Sequence, residues 1–163
     1  FIKTKKPSRA FLLLFLFLTL NIMKKAIIFD FMRTLYDADK SELFSNVPEI
    51  LEYLKENYVL YLITRMETDR DSVVASTNIH RYFKKYSSVE TKNATHFKSI
   101  TSDENYDEIF VIGDRLNEEI RIGNFLSYKT IWLKKGKFSN EGDPQITNPW
   151  RTISDITEIK EIL

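Results

Sequence analysis

The chain has 163 residues, 43% hydrophobic and 29% charged, a balance that fits one folded domain with a sizeable core and excludes a disordered polymer. Lysine plus arginine number 24 against 23 acidic residues, so no charge excess points to a nucleic-acid partner. With no cysteine, disulfides, thiolate zinc sites and thiol nucleophiles are excluded, and two histidines argue against a His-rich metal centre.

The N-terminal stretch 1–22 differs in pattern from the rest of the chain. Lys3, Lys5, Lys6 and Arg9 precede an apolar run from Ala10 to Leu20. That run is shorter than the about 20 residues that span a bilayer, and no small-x-small cleavage site comes after it. Three readings stay open: an upstream extension with Met23 as the true start, a membrane-surface anchor, or a cleaved signal peptide. Its Leu and Phe bias it towards a helix. Residues 23–163 are taken as the folded domain, and membrane contact is expected only if residues 10–20 are retained.

Ala26-Ile27-Ile28-Phe29 is an apolar run ending at Asp30, the pattern of a buried strand that delivers a carboxylate to its carboxyl end. Residues 31–46 read as a polar loop. Asn46 and Pro48 mark a helix start, and Ile50, Leu51, Leu54 and Tyr58 continue it, so a helix is predicted over 47–57. Residues 59–63 form a second apolar strand ending at Thr64. A helix is expected over 66–77, then an apolar cluster of Ile79, Tyr82, Phe83 and Tyr86 and a short strand at 87–89. A helix over 93–102 leads to a strand at 108–112. The next helix covers 117–126, and a fifth strand 130–133. The stretch 134–149, with two glycines and two prolines, reads as a loop. Ile153 marks a last short strand, and Asp155 caps a C-terminal helix. Alternating strands and helices imply an α/β fold with a parallel sheet covered on both faces.

Two strand ends carry the chemistry. Asp30 ends the first, and Gly113-Asp114 ends the fourth, with Glu118 and Glu119 just beyond. Parallel pairing would set Asp30 and Asp114 side by side. Carboxylates that close do not both ionise cheaply without a cation, and hard oxygen donors suit Mg²⁺. Glu118 lies one helical turn beyond Asp114 on the same face, with Glu119 as the alternative. Lys134, Lys135 and Lys137 form a basic run, read as a solvated loop that could draw anions to an open site. His80 and His96 have no ligand partners at sensible spacing.

Asp30-Phe31-Met32-Arg33-Thr34 and Gly113-Asp114-Arg115-Leu116-Asn117-Glu118, with Thr64 and Lys92 between them, resemble the four motifs of the haloacid dehalogenase (HAD) superfamily. The resemblance spans roughly residues 24–163. It implies a Rossmann-like parallel sheet of five or six strands with helices on both faces. It also implies a magnesium-dependent phosphohydrolase that forms an aspartyl-phosphate on Asp30. Thr64 would bind a phosphate oxygen. Lys92, with Lys98 as its rival, would neutralise the nucleophile and the transferring phosphoryl group. Arg65 could add charge beside Thr64. Mg²⁺ would be held by Asp30, the Met32 backbone carbonyl, Asp114 and Glu118.

Met32 stands where phosphatase members of the superfamily carry the acid that protonates the leaving group. Asp37 and Asp39 are the nearby carboxylates that could substitute. The rival reading is a catalytically impaired module that binds phosphate groups. The intervals from Asp30 to Thr64 and from Thr64 to Lys92 are too short for a full cap domain. The resemblance therefore implies a capless or minimal-cap member. Its substrate would be a phosphorylated small molecule or a larger phosphorylated substrate. A cytoplasmic location and a possible homo-oligomer that supplies a lid are expected.

Overall fold

The computed structural model describes residues 8–10 and 23–163. The readings of the N-terminal stretch therefore fall, but for residues 8–10, outside the described residues. Among those described, no helix is long and apolar enough to cross a membrane.

The first strand, β1 (Lys25–Phe29), is buried on both faces. A small hairpin comes next, β2 (Tyr36–Asp37) paired antiparallel with β3 (Glu42–Leu43), where the sequence suggests only a loop. Two-residue strands leave no periodicity to read. Then come α1 (Val47–Leu54), β4 (Val59–Arg65) and α2 (Arg70–Ser76). Next are β5 (Lys85–Val89), α3 (Ala94–Ile100) and β6 (Glu108–Gly113). A wide helical turn (Leu116–Ile120) opens into α4 (Arg121–Phe125). The chain ends with β7 (Lys129–Leu133), a short α5 (Pro144–Thr147), β8 (Arg151–Ile153) and α6 (Ile159–Ile162).

Six strands form one parallel sheet in the order β5-β4-β1-β6-β7-β8. Connections run outwards from β1 in both directions, so the topological switch point lies between β1 and β6. Open α/β sheets bind ligands at that point, beyond the carboxyl ends of the strands. The expected α/β class with both faces covered is the one observed.

The side chains of β1 alternate between two cores. Ile27 and Phe29 pack with Ile50, Leu51 and Leu54 of α1 and Ile159 of α6. Ala26 and Ile28 pack with Phe97 and Ile100 of α3 and Ile122 of α4. Each fully buried aliphatic or aromatic side chain contributes about 1.5–3 kcal/mol. The central strand is thus held on both faces, and Asp30 extends directly from it.

Several helices are shorter than their sequence periods suggest, notably α2, which starts at Arg70 and not at Met66. Asn46 is not a side-chain cap. Its backbone lies in the left-handed region at φ 70° and its side chain makes no capping bond, so Pro48 and Glu49 alone mark the start of α1. Asp155 does cap, through a reciprocal box with Glu158.

Candidate active site

Register brings the site together. Phe29 pairs with Ile112, and the Asp30 backbone N–H donates to the Ile112 carbonyl at 3.0 Å. Asp30 and Asp114 therefore leave adjacent strand ends. On the other side Phe29 pairs with Leu62, which sets Thr64 at the end of β4. Lys92 lies just past β5, the next strand out. One cavity of about 270 Å³ is lined by Asp30, Met32, Thr64, Lys92, Asp114 and Glu118, together with Glu119. The residues assigned to the site by the motif resemblance thus line one cavity, while Lys98, the rival of Lys92, does not; it sits in the last turn of α3.

A tight turn succeeds Asp30. The N–H groups of Leu35 and Tyr36 both donate to the Phe31 carbonyl, at 2.9 and 3.0 Å. The buried Phe31 and Leu35 anchor that turn in the core. It folds Thr34 back under the acid, where its hydroxyl donates to Asp30 Oδ2 at 3.0 Å. The other oxygen, Oδ1, accepts from the Lys92 ammonium, which also donates to Glu119 Oε1. Lys92 is almost wholly buried. Burial opposes its charge, but Asp30 and Glu119 outweigh that and hold it above the ordinary lysine range. The nucleophile candidate is thus an oriented carboxylate facing a permanent cation.

Asp114 shows the opposite imbalance. Its Oδ2 is buried without a hydrogen-bond partner. Burial, and then the charge of Asp30, push its carboxyl up to about 7. A cation beside Asp30 and Asp114 would remove both penalties, and an all-oxygen donor set fits Mg²⁺. Among the described residues no three His, Cys, Asp or Glu side chains converge as a complete metal cage. Mg²⁺ usually keeps several waters and is held through one or two carboxylates. Asp30, Asp114 and the Met32 carbonyl are the groups that could hold it.

The two glutamates take different places. In the wide turn after Asp114, the Ile120 N–H reaches the Arg115 carbonyl five residues back, at 3.4 Å. This extra residue per turn brings Glu119 inward, not Glu118. Glu119 is 1% exposed, meets Lys92, and accepts the Arg115 backbone N–H on Oε2 at 3.2 Å. Burial, against the pull of Lys92, pushes it up to about 8. Glu118 accepts from Arg65 at the rim. Burial opposes its charge, but Lys92 and Arg65 outweigh that and leave it below the usual carboxylate range. Gly113 makes the arrangement possible, since a Cβ there would stand 2.8 Å from Glu119 Cβ.

The structure adds Arg33, Arg70, Arg115 and Phe138, which sequence reading missed as site residues, and it places Lys137, a member of the basic run read as a loop that could draw anions, in the same cavity lining. Lys137 and Phe138 come from the long loop after β7, and loops of that length carry function. Arg70 had no sequence signal. Asp37 and Asp39 line a neighbouring cavity of about 190 Å³. A groove of about 500 Å³ opens beside the site and shares Lys92, Arg115 and Glu118 with it.

No family model matches the chain, and no curated protein matches it in sequence. Solved structures do match. A haloacid dehalogenase-like family hydrolase from Streptococcus pneumoniae has a TM-score of 0.68 at 15% identity, over 86% of this chain and 98% of that one. An uncharacterised protein from Listeria monocytogenes gives 0.69 at 19% identity, over 86% and 96%. A Bacillus subtilis protein, described as a HAD hydrolase bound to magnesium, gives 0.62 at 17%, over 76% of this chain and 57% of that one. At such identities the likeness establishes the fold, and the fold is that of the HAD-like hydrolases.

Proposed function

We propose that the chain is a magnesium-dependent phosphohydrolase that works through an aspartyl-phosphate on Asp30. The observation that carries this reading is the Asp30 carboxylate at the switch point. It is fixed by Thr34 and Lys92 and faces an acid, Asp114, with an unpartnered oxygen. An Asp30 oxygen would attack phosphorus as the ester P–O bond breaks, and the alkoxide would leave and take its proton from solvent water. Water would then attack the phosphorus of the aspartyl-phosphate, releasing phosphate and restoring the carboxylate. Lys92 would balance charge on the nucleophile and on the phosphoryl oxygens, and the Thr64 hydroxyl would bind one of those oxygens. Mg²⁺ held by Asp30, Asp114 and the Met32 carbonyl would supply charge neutralisation at the phosphoryl group. Glu119 would fix Lys92.

Met32 gives no proton to the leaving group. General acid–base help is worth about 10²–10⁴-fold, so turnover is expected to be slow or confined to esters with good leaving groups. Among the described residues no cap domain covers the cavity. The neighbouring groove would leave room for the leaving group of a small or larger phosphorylated substrate.

The test is phosphate release from a panel of esters by residues 23–163 with Mg²⁺. Release that disappears with chelator and in Asp30→Asn supports the reading. Phosphate binding without turnover would instead favour the impaired binding module, with Met32 as its cause.

A further inference from the structure

Pairing off the charges that line the cavity leaves two cations and one carboxylate over, and the carboxylate, Asp114, is the acid assigned above to Mg²⁺. Lys92 serves Asp30 and Glu119, Arg65 serves Glu118, Arg70 serves Glu67, and Arg115 serves Glu141. Arg33 and Lys137 line the same cavity, and neither is ion-paired to a carboxylate among the described residues. Both stand over one ring. Arg33 Cζ is 5.4 Å and Lys137 Nζ 5.5 Å from the Phe138 centroid, with Arg115 Cζ at 4.3 Å. Arg115 has its carboxylate, so Arg33 and Lys137 are the two cations beside the ring whose charge an anion between them would balance.

Two further observations point the same way. Arg33 has φ 63°, in the turn directly after Asp30. Glycine adopts that conformation freely and a long side chain does not. Strain of this kind clusters where the side chain has a use. Arg70 is 4% exposed, and two of its nitrogens have no acceptor, so this wall of the cavity is biased towards anions. Asp37 lines the adjoining cavity with Arg33 and Lys137, but its Oδ1 is taken by the backbone N–H groups of Asp39 and Lys40.

We infer that Arg33 and Lys137 clamp a second anionic group of the substrate. The preferred ester would then carry a further phosphate or carboxylate a few bonds from the phosphate that Asp30 attacks. This rests on the phosphoester reading of the site. The clamp sets specificity, while Lys92, Thr64 and Asp114 serve the reacting group.

The experiment compares three probes: propyl phosphate, the phosphate ester of hydroxypropanoate, and propanediol bisphosphate. Affinity is measured by calorimetry on Asp30→Asn with Mg²⁺, and turnover on the unsubstituted chain. At least one doubly anionic ester should bind about tenfold tighter than propyl phosphate, with an advantage that shrinks at high salt. Which of the two wins tells carboxylate from phosphate. The advantage should fall in Arg33→Gly, which suits the turn and so folds. It should vanish when Lys137→Gln is added at its exposed position. A thermal melt confirms that each variant is folded.

Equal affinity for all three probes would overturn the clamp, as would an advantage that survives in the double substitution. Preferential binding without any turnover would leave the clamp standing and sink the hydrolase reading. Turnover without preference would do the reverse.

Discussion

Met32 is the residue at which sequence and chemistry meet most directly. It lines the cavity and also packs partly against the core beneath the Asp30 turn. Restoring a carboxylate there, in Met32→Asp, should raise phosphatase kcat by about 10²-fold or more on esters of poor leaving groups. It should raise the rate far less where the leaving group departs unaided. Steady-state rates across a leaving-group series check this, and a uniform change would remove the proton-transfer argument. Arg70 makes a second test at this scale. It is buried, pairs with Glu67 at the surface, and leaves two nitrogens unsatisfied. Replacing a poorly satisfied buried ion by an apolar residue of similar volume is often neutral or stabilising. Arg70→Met is therefore expected to keep or raise the melting temperature while lowering kcat/KM several-fold. A loss of stability with activity retained would make Arg70 a structural residue. Neither Arg70 nor Arg33 was legible as a site residue. A lone arginine in a polar stretch has no periodicity, and its burial depends on which strands flank it.

At the scale of elements, three strand ends were readable because each is a short apolar run closed by a polar residue, and Asp30, Thr64 and Asp114 emerge from that pattern and from parallel pairing. Lys92 follows a polar strand and was legible only through the motif resemblance. The turn after Asp114 was not readable. Counting 3.6 residues per turn selects Glu118, but the wide turn adds a residue and selects Glu119. Such turns are rare and recur at functional sites. Gly113 was legible as the residue before the acid, though not as the space for the Glu119 side chain. The geometry makes a comparative prediction. Glu119→Gln should lower kcat by about 10²-fold, since Lys92 loses its second carboxylate. Glu118→Gln, at the rim against Arg65, should cost only a few-fold. Parallel kinetics on the two variants measure the difference, and the reverse order would return the inward role to Glu118. The hairpin of β2 and β3 was missed for a simpler reason, since strands of two residues fall below any pattern.

For the whole molecule, the order of strands matters more than any single contact. Connections that run outwards from β1 in both directions place the two acids at one switch point, and helices close both faces of the sheet. The fold class and the strand count were open to sequence reading because alternating strands and helices leave few topologies. The cationic mouth was legible only in the basic run that holds Lys137, because its other members come from the turn after β1 and from α2 and meet only in the folded chain. The most direct test of the account is an acid quench during turnover with Mg²⁺, combined with mass analysis of the peptide carrying Asp30. On an ester with a good leaving group the covalent intermediate forms without an acid, but Met32 cannot activate water, so it should break down slowly and accumulate. One phosphoryl group is expected on Asp30, absent from Asp30→Asn and from chelator-treated protein. Phosphate release with no adduct at any time, or turnover that survives in Asp30→Asn, would contradict the assignment of Asp30 as nucleophile.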